Sequence, residues 1–200
     1  MGVLDSFIAF DTETTGFGPT ARILEIAVVV FEQGEPVHAW EQLLCPEGVD
    51  WGSENVQKAL AVNKIDPKDL QGKPTFKQVF PDLMLELSSD IWVAHNASFD
   101  IQMIQQEAQR IQKLVQPPPL VACTLQLAAY RTNAKNNKLA DVAARYSVLQ
   151  DGAHRAAADA TVCGRIFREM IRKDEIPPTV GGMKDLIQAA EKAWKTRSKW

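Results

Sequence analysis

Apolar and polar residues recur along this chain with two different periods, and each change of period marks an element. Residues 7–10 (Phe7, Ile8, Ala9, Phe10) form an unbroken apolar run that meets Asp11-Thr12-Glu13 and stops at Thr14-Thr15-Gly16. A short apolar run closed by a turn signal predicts a buried strand. Residues 23–31 are so rich in Ile and Val that they predict a second strand, and 37–44 alternates as its hairpin partner across a turn at 32–36. Helical spacing then takes over at 53–62, with Ser53 in a capping position. It returns at 76–87, with Val79, Phe80, Leu83 and Leu87 on one face. Pro81 in that stretch is either an early-turn residue or a kink.

The second half alternates. Residues 91–94 predict a short strand and 98–114 a helix; after the stiff Pro117-Pro118-Pro119 connection, 120–122 predicts another strand. Helices follow at 125–130 and 138–146, separated by a polar, slightly basic loop at 135–138, and 153–171 is a long alanine-rich helix. Strands first, then strands alternating with helices, predict an α/β fold: a mixed sheet flanked by helices. Residues 173–182, with Pro177-Pro178 and Gly181-Gly182, read as a linker. Met183, Leu186, Ile187, Ala190 and Trp194 then recur at helical spacing among Lys192, Lys195, Arg197 and Lys199. The expected organisation is one domain over 1–173 and a linker with an amphipathic helix over 174–200. That helix either docks on its own domain or binds a partner.

Composition narrows the function. With 46% hydrophobic and 24% charged residues in 200, the chain has the balance of a globular protein with a sizeable core. Cys45, Cys123 and Cys163 are odd in number and widely spaced, which fits neither a disulfide framework nor a zinc site and suggests a reducing compartment. A basic-then-apolar leader and a run of membrane-spanning length are both missing from these residues, so a cytoplasmic location is expected. The net charge of −3 excludes a generally basic protein that coats nucleic acid, so any polyanion must be gripped locally.

The candidate chemistry starts at Asp11 and Glu13. Residues i and i+2 of a strand share a face, and two unit charges 4 Å apart repel by about 4 kcal/mol at an effective dielectric of 20. Either water separates them or a cation sits between them. Two further carboxylates stand where strands meet helices. Asp100 follows His95-Asn96-Ala97-Ser98-Phe99, where a helix dipole alone would favour an acid. Asp159 lies five residues after His154 on a helix face that is nearly all alanine.

These three segments together carry a resemblance. Phe10 to Gly16, His95 to Asp100, and His154 to Asp159 resemble the three exonuclease motifs of the DEDD superfamily in its histidine-bearing (DEDDh) branch. That family includes the polymerase III epsilon subunit, exonuclease X, ribonuclease T and oligoribonucleases. The likeness runs in family order from residue 7 to about 171 and includes Ile23 to Ala27, Cys123 to Ala128 and Lys138 to Ala143. Some positions differ: Asn63-Lys64-Ile65 stands where many relatives carry His-Gly-Ile, Met103-Ile104 replaces an aromatic-Leu pair, and Ala27 stands where relatives often have Gly.

The resemblance implies a ribonuclease-H-like fold, with a five-stranded mixed sheet and helices on both faces. It implies that Asp11, Glu13, Asp100 and Asp159 hold two Mg2+ or Mn2+ ions and that His154 is the general base. Hard cations take oxygen ligands, and such a pair suits in-line displacement at phosphorus. The implied activity is 3′–5′ exonucleolytic release of nucleoside 5′-monophosphates, of the kind used in proofreading, replication and repair. Thr12, Thr14 and Thr15 would hold the terminal nucleotide, with His95, Asn96 and Phe99 nearby, although the Phe99 side chain also suits the core. Single-stranded DNA or a frayed 3′ end is the first-choice substrate and RNA the second. A DNA polymerase is a candidate partner for residues 174–200. A non-catalytic binding module on the same fold is disfavoured because all four acids and the histidine are present, and an integrase-like endonuclease because of the His154/Asp159 spacing.

Overall fold

The computed structural model describes residues 6–132, 134, 136–150, 155–177 and 179–197. Among them, five strands form one sheet in the order β3-β2-β1-β4-β5. The central strand β1 (Ser6–Thr14) runs antiparallel to β2 (Ile23–Glu32) and parallel to β4 (Ile91–Ala94). β3 (Glu35–Leu43) closes a hairpin on β2, and β5 (Leu120–Cys123) extends the sheet in parallel beyond β4. The β2–β3 turn places Gln33 at φ 50° and Gly34 at φ 82°, two positive values in succession. Such turns follow the twist of the strands they join.

Strand alternation divides the core. Phe7, Ala9, Val29, Phe31 and Val93 face one helical layer: α4 (Thr124–Thr132), α5 (Leu139–Arg145), α6 (Ala156–Arg172) and α7 (Val180–Arg197). Ile8, Phe10, Val28 and Trp92 face the other, made by α2 (Phe76–Glu86) and α3 (Ala97–Arg110). A small third cluster seats α1 (Glu54–Asn63) and a 3-10 turn at Pro67–Leu70 through Leu24, Val56, Leu60, Ile65 and Leu70. The ribonuclease-H-like sheet flanked by helices on both faces is therefore present. The apolar stripe of α7 is also docked: Met183, Leu186 and Ala190 are buried against the domain.

Several boundaries differ from expectation for local reasons. α3 stops at Arg110 rather than 114, because Gln112 turns left-handed (φ 57°) and the Lys113 amide bonds back to the Ala108 carbonyl at 2.8 Å. No glycine or proline announces this stop. Ser53 occupies the N-cap position of α1 without a side-chain capping bond. α2 runs straight through Pro81, which lies on its exposed side. At the altered 63–65 segment, Lys64 takes the left-handed conformation (φ 57°). The buried Asn63 side chain donates to the Thr14 carbonyl at 3.1 Å and accepts from the Ile65 amide, also at 3.1 Å.

α6 approaches the sheet closely because Gly164 faces Phe31, where an added Cβ would lie 2.2 Å from the ring. Gly164→Ala must therefore push α6 off β2. Overpacking of this kind costs about 1–3 kcal/mol, so Tm should fall by several degrees in a thermal melt. An unchanged Tm would show that α6 has slack against the sheet.

Candidate active site

The site follows from the same alternation that builds the core. Asp11 and Glu13 continue the face of Phe7 and Ala9, so they point toward α6. Thr12 continues the face of Ile8 and Phe10, toward α3. Asp159 lies in the first turn of α6, and its carboxylate, that of Asp11 and that of Glu13 each offer an oxygen within 4.8 Å of the others. All three keep part of their surface open. Asp100, in the first turn of α3, reaches the strand end from the opposite layer. Its Oδ1 accepts from the Thr12 amide at 3.0 Å and the Thr12 hydroxyl at 2.7 Å. Three of the four expected carboxylates thus form one cluster, and the fourth is anchored to the residue between Asp11 and Glu13.

Crowding and burial make these acids hard to ionise. Loss of surrounding water, then the charges of Asp100, Glu13 and Asp159, raise Asp11 well above the usual carboxylate range. Glu13 is pushed up to about 7, first by burial and then by Asp159 and Glu25, with Arg155 opposing. Asp100 rises to about 7 through burial, against the lowering effect of the Thr12 hydrogen bonds. Such a set is a poor place for three or four bare charges and a good place for divalent cations, which bind carboxylate oxygens. The chemistry of the donors fits magnesium or manganese.

The other expected residues fall into distinct roles. His154 lies outside the described residues. The Thr12 hydroxyl is engaged with Asp100. That of Thr14 donates to the Gly16 carbonyl at 2.8 Å, and that of Thr15 accepts from the Arg22 amide at 2.9 Å. The threonine side chains therefore shape the turn. Both ring nitrogens of His95 are engaged within the fold: Nδ1 lies 2.9 Å from the Thr124 hydroxyl and Nε2 2.9 Å from the Asn137 carbonyl. The carbonyl requires Nε2 to carry the proton, and burial lowers the pKa of His95 to about 4, so it stays neutral. Asn96 is exposed at the start of α3 in a left-handed conformation, φ 70°.

Phe99 packs partly on the core and partly on Phe17, with ring centroids 5.3 Å apart. Phe17 is 85% exposed. Phe17 stands outside the three motifs, but an aromatic held between Gly16 and Gly18, both at positive φ, is poorly placed to enter a core. A cleft of about 1170 Å³ lies at the other end of the sheet, lined by the first residues of β1, β4 and β5 (Ser6, Ile91 and Leu120), and includes none of Asp11, Glu13, Asp100 and Asp159.

A ribonuclease-H-like sheet with acids gathered at the end of its central strand defines a class, the metal-dependent nucleases. The chain belongs to the exonuclease family, which its residues 8–167 match, in the DEDDh branch of 3′–5′ exonucleases. It is 30% identical over 169 residues to the DNA polymerase III epsilon subunit of Treponema pallidum, covering 83% of this chain and 76% of that protein. It is also 30% identical over 172 residues to the PolC-type DNA polymerase III of Clostridium perfringens, covering 84% of this chain but only 11% of the polymerase. Among solved structures, exonuclease X in complex with 5′-overhanging duplex DNA aligns with TM-score 0.67 at 23% identity, over 90% of this chain and 98% of that one. The nuclease domain of 3′hExo, a DEDDh family member bound to rAMP, aligns with TM-score 0.69 at 17% identity, over 84% and 92%. These two likenesses establish the fold. Among the described residues, no helix is long and apolar enough to cross a membrane.

The raised pKa values fix a pH signature. An acid whose folded pKa exceeds its unfolded value favours the folded state at low pH and loses that contribution as pH rises through the folded pKa. Metal-free protein should therefore lose stability between about pH 4 and pH 7, as Glu13 and Asp100 ionise. Millimolar Mn2+ should raise Tm strongly at pH 8 and little at pH 5, because protons compete with the ion. An equal Mn2+ effect at both values would contradict this electrostatic account.

Proposed function

We propose that this chain removes nucleoside 5′-monophosphates one at a time from 3′ ends of single-stranded DNA, or from frayed duplex ends. The observation that carries the reading is the convergence of Asp11, Glu13 and Asp159 to within 4.8 Å. Asp100 joins them through its anchor on Thr12. Two Mg2+ or Mn2+ ions held by these four acids would, when bound, offset their charge and stabilise the attacking and leaving oxygens at phosphorus.

The protein's own groups do the rest. His154 directly precedes Arg155 and the start of α6. An imidazole titrates near neutrality, so it takes the proton of the attacking water as general base. Water adds to the terminal phosphorus, the bond to the 3′-oxygen breaks, and the released mononucleotide keeps its 5′-phosphate. The Thr14–Gly16 turn supports the terminal nucleotide. The exposed Phe17 ring, backed by Phe99, offers a flat surface on which a base can stack. DNA comes first because the epsilon and PolC-type relatives are DNA polymerase components by name. The rAMP-bound 3′hExo neighbour supports RNA as the second reading. A polymerase partner would meet the outer face of α7, since the inner face is docked.

End-labelled single strands of DNA and RNA test this directly. A 3′ label should be released first as mononucleotide, and chelator should abolish release; internal cuts, or none, would overturn the reading. His154→Ala should lower kcat by about 10²–10⁴-fold while Mn2+ affinity is kept, and near-normal turnover would remove the histidine from the mechanism. Phe17→Ala should weaken single-strand binding by about 1–3 kcal/mol, read as a higher KM with little change in kcat. An unchanged KM would free Phe17 of that role.

A further inference from the structure

Glu25 is a charged residue inside the apolar strand β2, and it is fully buried (0% exposed). Its carboxylate accepts from Arg155 Nη2 at 2.6 Å and from Arg155 Nε at 3.1 and 3.2 Å. It also accepts from the Ala156 backbone amide at 3.0 Å. Ala156 is the first residue of α6, and Arg155, at the N-cap, makes no side-chain capping bond. The helix end that would ordinarily be capped by its own N-cap side chain is thus capped from the sheet, 131 residues away in sequence. On the other side, Glu25 is paired in register with Glu13. One turn into the helix, the Asp159 amide bonds to the Arg155 carbonyl at 3.0 Å.

The carboxylate of Glu25 is therefore attached at both ends of the geometry that matters. Its backbone is bound to the strand that carries Glu13, and its oxygens hold the helix turn that carries Asp159. We propose that Glu25 is a positioning residue of this exonuclease site: through Arg155 and the Ala156 amide it sets where Asp159 stands relative to Asp11 and Glu13. This rests on the cation-binding reading of those acids. Glu25 does not belong to the cluster whose oxygens converge, so its effect passes through Asp159. Arg155, also 3.5 Å from Glu41, places a positive charge beside Glu25 that offsets part of the negative charge Glu25 adds next to Glu13.

The test uses Glu25→Ala, Glu25→Gln and Arg155→Ala in the full chain, with Val79→Ala in α2 as a control for loss of stability in the opposite layer. Mn2+ affinity is read by electron paramagnetic resonance, and kcat and KM on a labelled single-stranded oligonucleotide, below the Tm of every variant. Glu25→Ala and Arg155→Ala should raise the Mn2+ Kd and lower kcat by about 10–100-fold each, with KM for the oligonucleotide held within a few-fold. Glu25→Gln, which keeps an acceptor but loses the charge, should fall between them and wild type, and Val79→Ala should move neither quantity. If Glu25→Ala does not fold, Glu25→Gln decides. Wild-type Mn2+ Kd and kcat in the folded Glu25 variants would overturn the positioning role alone. Failure of the unsubstituted protein to bind Mn2+ would overturn the cation reading and this proposal with it.

Discussion

Repulsion between acids at the end of β1 is the constraint around which the rest of the molecule is arranged. A strand deals successive side chains to opposite faces, so Asp11 and Glu13 go to the α6 layer and Thr12 to the α3 layer. Each layer then returns one acid to the same strand end, Asp159 from α6 and Asp100 from α3. The packed sheet holds these groups together against their charge, and the cost appears as raised pKa values: about 7 for Glu13 and Asp100, and well above the usual carboxylate range for Asp11. A convergent set of carboxylate oxygens is what a hard divalent cation requires. It also explains how an acidic protein can engage an acidic polymer.

Packing elsewhere serves that arrangement. Gly164 lets α6 lie close on Phe31, and the small residues Ala156 and Ala160 keep the helix near the sheet at the site. Asn63 ties α1 to the Thr14 carbonyl, and Arg22 ties the turn to α3 through the buried Glu107 at 2.7 Å. His95 secures the loop before α5 and remains neutral while doing so. The turn threonines are likewise more scaffold than grip, with the exposed Phe17 the better candidate for direct contact with a base.

Much of this was legible in the sequence, for physical reasons. Strands β1, β2 and β4 are short apolar runs with clear ends, and α6 shows an unbroken helical period. The acids of the three motifs are conspicuous because charge at the ends of apolar runs is conspicuous. Less legible were features that depend on distant pairing. Nothing local says that Thr12 will bind Asp100, 88 residues on, or that Glu25 will cap α6. The end of α3 was overrun because Gln112 adopts a conformation that its side chain does not advertise. Phe17 carried a local signal, an aromatic between two glycines, that is easy to pass over beside a more familiar motif.

The most direct measurement is anomalous scattering from crystals grown with Mn2+. The account predicts Mn2+ bound between Asp11, Glu13 and Asp159, with Asp100 beside it still anchored on Thr12. Mn2+ scattered elsewhere on the surface, with this cluster left protonated and empty at pH 8, would contradict it.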